Sequence, residues 1–173
     1  MTAPTPSDTA AAFERHDHSH CAGAVMQAAE GRARAEGLRL TPVRRRVLEI
    51  LLEEHRALGA YDILDRLKAE GFGHQPPVAY RALDFLVEHG LAHRIRRLNA
   101  FAACMHPDTD HAPAFFICAQ CSAVAESAAT PLRDAAQAAG LAIGFTIERV
   151  TIEAIGTCPA CHPGTAPSPQ VPS

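Results

Sequence analysis

The sequence predicts an α+β protein made of two small domains. In its first half, apolar residues recur at the three- and four-residue spacing of amphipathic helices. Its second half contains short apolar runs typical of strands, together with two Cys-x-x-Cys pairs. The 173 residues are 47% hydrophobic, which is enough for packed cores of modest size. The chain therefore divides into a helical half and a mixed half that contains most of its cysteines.

The first half predicts four helices. An Ala-rich segment covers residues 21–38. Thr41 is placed to cap the next helix, and Pro42 occupies its first turn, where its missing N–H costs no hydrogen bond. A short helix over residues 60–70 and a longer one over residues 76–90 follow, each bounded by glycine.

The last of these helices and the segment after it predict a winged helix. The apolar stripe of this helix falls at positions i, i+4, i+7 and i+8, occupied by Ala79, Leu83, Leu86 and Val87. Residues 91–98 and 100–104 then read as two strands around a turn at Asn99. Three helices followed by a β-hairpin is the order of a winged helix, which lays one helix in the major groove of DNA.

Four side chains are candidates for contact with DNA. Arg81 is suited to forked hydrogen bonding with guanine, and Tyr80 to a phosphate or a thymine methyl group. Arg44 and Arg45 lie on the outer face of the second helix, where either phosphate contact or simple solvation explains them. Residues 21–99 contain 13 Lys and Arg against 10 Asp and Glu, although the whole chain has a net charge of −3. This distribution favours a nucleic-acid contact confined to the first half, while a winged helix that binds protein would share the same periodicity.

The paired cysteines predict a structural zinc site. The chain contains no apolar run long enough to span a bilayer and no secretory signal, so we expect a cytoplasmic protein with reduced thiols. Two Cys-x-x-Cys pairs present four thiolates, which complete a closed tetrahedral site for Zn²⁺. The four ligands are Cys118, Cys121, Cys158 and Cys161. Thiol redox chemistry is the alternative for these pairs.

A second, less regular group of potential ligands lies between the two halves. Its members are His93, Cys104, His111 and Glu126. They converge only if the segment after the second wing strand folds back over the wing. His106, Asp108 and Asp110 are alternatives to His111, and an isolated strand histidine such as His93 is often an ordinary polar residue.

Taken together, these motifs resemble the ferric-uptake-regulator family, and within it the zinc-uptake-regulator branch. The similarity covers residues 38–161 and rests on four motifs: Pro76-Pro-Val-Ala-Tyr-Arg-Ala-Leu-Asp-Phe-Leu86, Gly90-Leu-Ala-His93, Phe116-Ile-Cys118-x-x-Cys121 and Cys158-x-x-Cys161. The resemblance implies a dimeric, metal-dependent repressor with an N-terminal winged helix and a C-terminal α/β dimerisation domain.

The resemblance also implies roles for both groups of ligands. The four paired cysteines would hold structural zinc, and the group from His93 to Glu126 would hold sensory zinc at the hinge between the domains. The soft sulfur of Cys104 at the sensing position favours zinc over iron. One departure is the opening of the fourth helix, where Val78-Ala79 replaces the usual Thr-Val and so removes a hydroxyl group.

We therefore predict a zinc-responsive, DNA-binding repressor of zinc-uptake genes. It would bind two zinc ions per subunit and act as a homodimer on a palindromic double-stranded operator, without a small-molecule substrate, a membrane partner or enzymatic activity. The predicted divisions are a histidine-containing tail at 1–20, the winged helix at 21–104, a hinge at 105–111, the dimerisation domain at 112–162 and a tail at 163–173.

Three other functions are compatible with the same residues. A family member of this kind could sense iron, manganese or peroxide. A zinc-dependent hydrolase would use Glu126 as its general base. A zinc buffer would bind metal through His16, His18, His20 and Cys21 and would not bind DNA.

Overall fold

The computed structural model describes residues 18–53, 56–108, 113–148 and 150–162. Its helices are α1 (His18–Ala35), α2 (Pro42–Leu52), α3 (Ala60–Ala69), α4 (Pro76–Glu88) and α5 (Thr130–Ala142). Its strands are β1 (Ala92–Ile95), β2 (Ala100–Ala103), β3 (Pro113–Cys118), β4 (Val124–Ala128) and β5 (Ile152–Gly156). The predicted α+β class is confirmed; both tails lie largely outside the described residues.

Helices α2 to α4 and the β1–β2 hairpin form the winged helix that the sequence predicts. Thr41 caps α2, since its Oγ1 accepts a hydrogen bond from the Arg44 backbone N–H at 3.4 Å. The helices pack through fully buried side chains that include Ile50 and Leu83. Leu58, between α2 and α3, exchanges two backbone hydrogen bonds of 2.8 Å with Phe101 of β2. This pairing attaches the hairpin to the helical core.

The hairpin turns where the sequence predicts. Strands β1 and β2 pair antiparallel, with Ile95 opposite Ala100. Asn99 has a φ of 47°, a left-handed conformation that asparagine tolerates better than most residues.

The C-terminal half is a three-stranded sheet of order β4-β3-β5. Strand β3 pairs antiparallel with β4 and parallel with β5. Helix α5 connects β4 to β5. Because β3 and β5 run in the same direction, the segments that follow them emerge at the same edge of the sheet.

Two boundaries in this half differ from the predictions. The expected strand over residues 145–155 is confined to 152–156, because in the described chain only this part lies beside β3. Gly140 does not end α5, which continues to Ala142. Gly140 is instead needed for close packing: a Cβ there would lie 3.0 Å from the Phe145 carbonyl oxygen and 3.1 Å from Cδ1 of Ile147.

The wing packs directly on the sheet. Ile95 at the end of β1 forms a buried apolar cluster with Phe115 and Ile117 of β3 and Val124 of β4. We call this contact the seam. It places the last residues of the wing against the same sheet that positions the paired cysteines.

Apolar side chains are exposed along α5 and beyond it. Leu141 and Ile143 retain 75% and 80% of their accessible surface, and Leu132 and Phe145 are also exposed. Across the described ranges, no helix is both long and apolar enough to cross a membrane.

Candidate metal centres and DNA-binding surface

The four paired cysteines meet at one edge of the sheet. Cys118 and Cys121 follow β3, and Cys158 and Cys161 follow its parallel neighbour β5. Their Sγ atoms all lie within 4.8 Å of one another, and those of Cys121 and Cys158 are 3.7 Å apart. A tetrahedron with Zn–S bonds of about 2.3 Å has edges of about 3.8 Å. The cluster therefore fits a tetrahedral zinc ion.

The thiols of this cluster perturb one another. Backbone N–H groups, first that of Cys158 at 3.4 Å, stabilise the thiolate of Cys118 and lower its pKa to about 6. The pKa of Cys161 rises to about 12, because hydrogen bonding to Cys158 and Cys121, burial and neighbouring negative charge all disfavour its thiolate. Four thiolates so close together require a compensating cation, which is the chemistry of a structural zinc site.

The second group forms at the seam. His93 of β1, Cys104 just after β2 and Glu126 of β4 offer ligand atoms within 4.8 Å of one another. The His93 Nε2 and Glu126 Oε1 atoms are 3.3 Å apart, and Cys104 Sγ lies 3.9 Å from the same oxygen. Tetrahedral zinc with ordinary bond lengths needs separations of about 3.4 Å and about 3.6 Å for these pairs. The nitrogen–oxygen edge matches closely, and the sulfur–oxygen edge is slightly long.

Two of the four predicted ligands at the seam come from the winged helix and one from the sheet. The fourth, His111, lies outside the described residues. Of its alternatives, Asp110 also lies outside them, while His106 and Asp108 are described and do not belong to the group. The structure therefore brings together His93, Cys104 and Glu126.

The seam group is largely buried. Cys104 is fully buried, and the side chains of His93 and Glu126 are only 13% and 3% exposed. Burial lowers the pKa of His93, but hydrogen bonds to Cys104 and Glu126 together have the larger effect and raise this pKa to about 9. The backbone N–H of Met105 donates to Glu126 Oε2 at 3.0 Å and so orients the carboxylate. The His93 ring also packs on Phe115, with ring centroids 5.2 Å apart.

The four predicted DNA contacts separate into two kinds. Tyr80 and Arg81 are exposed on α4, and Arg81 Nε donates to the Pro77 carbonyl at 3.2 Å. Arg44 instead lies over the ring of Phe85, 3.5 Å from its centroid. Its guanidinium thereby packs α2 against α4.

Arg45 is similarly engaged within the protein. It forms ion pairs with Glu49, at 3.0 Å, and with Glu30 of α1. Its pKa is raised, first by hydrogen bonding to Glu49 and then by the charge of Glu30. The sequence left phosphate contact and a solvated face open for Arg44 and Arg45, and the structure places both in intramolecular contacts.

Two side chains that no sequence motif indicated link parts of the chain that are distant in sequence. Arg32 of α1 donates to the Pro107 carbonyl at 3.0 Å, which ties α1 to the segment after Cys104. Glu153 of β5 accepts hydrogen bonds from the wing. Neither residue belongs to a motif or a ligand spacing, so no local pattern identified them.

Known proteins match most of this chain in sequence and in fold. A model described as the Ferric uptake regulator family matches residues 35–155. The Zinc uptake regulation protein of Escherichia coli (strain K12) is 36% identical over 138 residues, which are 79% of this chain and 81% of that protein. The protein of the same name from Shigella flexneri matches with the same figures.

Two solved structures are similar over most of the chain. A zinc uptake regulator complexed with zinc and DNA is 36% identical, with a TM-score of 0.78 and coverage of 82% of this chain and 95% of that one. The crystal structure of holo XcZur is 34% identical, with a TM-score of 0.72 and coverage of 86% and 100%.

Proposed function

Because the chain belongs to the ferric uptake regulator family, we propose that it is a transcriptional repressor of zinc-uptake genes that uses zinc as its co-repressor. The observation that carries this proposal is the convergence of His93, Cys104 and Glu126 at the seam. A ligand group shared by a DNA-binding head and the domain behind it makes metal occupancy depend on their relative orientation. The names of the similar proteins support zinc as the metal and DNA as the partner.

Two zinc sites per subunit fit the donor atoms. When bound, zinc supplies a divalent centre that accepts thiolate, imidazole and carboxylate ligands together. The four paired cysteines saturate one such centre and hold the ends of β3 and β5 together. At the seam, His93, Cys104 and Glu126 provide three ligands, and we assign the fourth to His111. The thiol of Cys104 favours zinc over iron or manganese at this site.

The seam ligands connect metal binding to the position of the DNA-binding head. His93 and Cys104 belong to the wing and its end, whereas Glu126 belongs to the sheet. All three can bind one ion only when the wing lies against the sheet. Metal binding therefore stabilises that orientation. The stabilisation equals the difference in zinc-binding free energy between this orientation and the others.

Helix α4 is the element that we assign to the major groove. Tyr80 and Arg81 are exposed there and can reach base edges and phosphates. Arg44 supports the helix from behind through Phe85. Winged helices of a symmetric dimer recognise half-sites related by a two-fold axis, so the operator would be a palindromic duplex.

A second copy of the chain would cover the apolar surface of α5. Four large apolar side chains are exposed over residues 132–145, and Leu141 and Ile143 are the most exposed of the eight large apolar residues that remain accessible in the described chain. Such surfaces in a small domain mark protein interfaces.

We propose residues 21–104 as the head, 105–111 as the hinge and 112–162 as the dimerisation domain.

The proposal is tested by replacing Cys104 with serine. We expect Cys104→Ser to lose zinc-dependent operator binding while it remains dimeric and retains zinc on the four paired cysteines. Fluorescence anisotropy of a labelled duplex from a zinc-uptake promoter, at buffered free zinc, measures the first property. Cys21→Ser is the matched control, because Cys21 is the one cysteine that the proposal assigns to neither zinc site. Unchanged zinc dependence in Cys104→Ser would refute the assigned sensor.

A further inference from the structure

Three side chains form one row across the sheet beneath the wing. Phe115 on the central strand is paired with Glu126 of β4 on one side and with Glu153 of β5 on the other. Residues directly opposite each other on neighbouring strands project to the same face. All three contact the wing or the residue that follows it, so this row is the surface on which the head rests.

The two ends of the row contact the head differently. Glu126 reaches His93 and Cys104, the ligands of the proposed sensory site. Glu153 reaches the tip of the wing, where its Oε1 accepts the backbone N–H of Arg96 at 2.7 Å and its Oε2 accepts that of Arg97 at 3.0 Å. Hydrogen bonds to a carboxylate are about twice as strong as neutral ones, and two of them fix direction as well as distance.

The head also meets the sheet through apolar packing and through one isolated backbone bridge, between Arg56 and Ala123. The apolar part of the seam centres on Ile95, between the two ends of the row. Beside it opens a cavity of about 730 Å³ whose lining includes Arg94, Arg96 and Arg133. Since this cavity borders the seam, the polar contacts at the two ends of the row add to the apolar packing in fixing the orientation of the head.

We propose that Glu153 is a positioning residue of the metal switch, a role that rests on the proposed function. It holds the wing tip on the sheet at the opposite end of the row from Glu126. With the tip held there, β1 keeps His93 close to Glu126. Less free zinc is then needed to hold the wing against the sheet. The two hydrogen bonds that Glu153 accepts from the wing come from backbone N–H groups, so this contribution does not depend on the metal.

The test compares Glu153→Gln with Glu148→Gln as the matched control. Glutamine keeps the size of the side chain but presents an NH₂ group to one of the two N–H donors. Glu148 is exposed and lines the same cavity, so its replacement removes the same charge while Glu153 keeps its hydrogen bonds to the wing tip. Operator binding is followed by anisotropy as a function of buffered free zinc, and zinc content and melting temperature are measured on each protein.

We expect Glu153→Gln to raise the free zinc concentration for half-maximal operator binding about tenfold, the effect of losing one strong hydrogen bond. Glu148→Gln should keep the wild-type midpoint, and both variants should retain zinc on the paired cysteines. Glu153→Asp, which withdraws the carboxylate by one methylene, should shift the midpoint in the same direction.

Two results would overturn the role of Glu153. One is a midpoint in Glu153→Gln and Glu153→Asp equal to that of Glu148→Gln. The other is a lower melting temperature with an unchanged midpoint, which would make Glu153 merely structural. Absence of zinc-dependent binding in the wild-type protein would instead refute the proposed function, so the two failures are distinguishable.

Discussion

Replacing Ile95 with alanine tests whether packing of the wing on the sheet controls the orientation of the head. Ile95 is fully buried, and it packs on the sheet rather than in the helical core. Moving the head off the sheet would expose this side chain, and burying an isoleucine contributes about 1.5 to 3 kcal/mol. Alanine removes most of that contribution. We expect the population with the wing against the sheet to fall at least about tenfold relative to the population with the head off the sheet. This change corresponds to about 1.4 kcal/mol.

The assay is operator binding at buffered free zinc, with Ile63→Ala as the matched control. Ile63 is also fully buried, but it lies in the helical core away from the sheet. Both replacements should lower the free energy of unfolding by about 2 to 5 kcal/mol, as measured by chemical denaturation. Only Ile95→Ala should also raise the zinc midpoint for DNA binding. Equal midpoints for the two variants would show that the seam does not link metal to DNA.

Three further predictions concern the other proposed sites. Cys158→Ser should reduce bound zinc by one ion per chain and destabilise the sheet, as metal analysis and thermal unfolding would show; unchanged zinc content would rule out the four-cysteine site. Ile143→Asp should convert the dimer to a monomer in sedimentation experiments, whereas Tyr61→Asp, at an exposed residue of α3, should not; a dimer that persists would place the interface elsewhere. Arg81→Ala should weaken operator binding by about 1 to 3 kcal/mol and relax base preference, while exposed Arg34→Ala should not; equal losses on specific and random DNA would limit Arg81 to phosphate contact.

Local signals explain why most of the fold was predictable. The cap at Thr41 and the turn at Asn99 depend on residues close in sequence, and the structure confirms them. The apolar stripe of α4 is confirmed at three of its four positions, because Val87 is only half-buried and Ala82 is buried instead. The segment over residues 145–151 alternates like a strand but lacks a neighbouring strand in the described chain. Alternation reports which faces are apolar, whereas a strand also needs a hydrogen-bonding partner, which the local sequence does not encode.

The two ligand groups differ in the same way. Each Cys-x-x-Cys pair is local, and the parallel pairing of β3 with β5 explains why the two pairs meet. The seam group joins side chains from three separate segments, so spacing alone left it open, and the family resemblance was needed to propose it. The structure brings His93, Cys104 and Glu126 together, and the role of His111 stays a prediction.

Contacts made by single charged residues were the least predictable part. The outward-facing position of Arg45 was equally compatible with DNA and with solvent, and its partner Glu30 lies on a different helix. Glu153 has no local pattern that distinguishes it from any other strand glutamate. Such contacts depend on how whole elements pack, so they became visible only in the assembled fold.

The most direct test of the account is the affinity of the wild-type protein for a labelled zinc-uptake promoter, measured by anisotropy at buffered free zinc, iron(II) and manganese(II). We expect tight binding that appears only as free zinc rises, with little response to the other two metals at matched concentrations. Tight binding that persists in a zinc chelator, or that follows iron(II) or manganese(II) instead, would contradict zinc as the co-repressor.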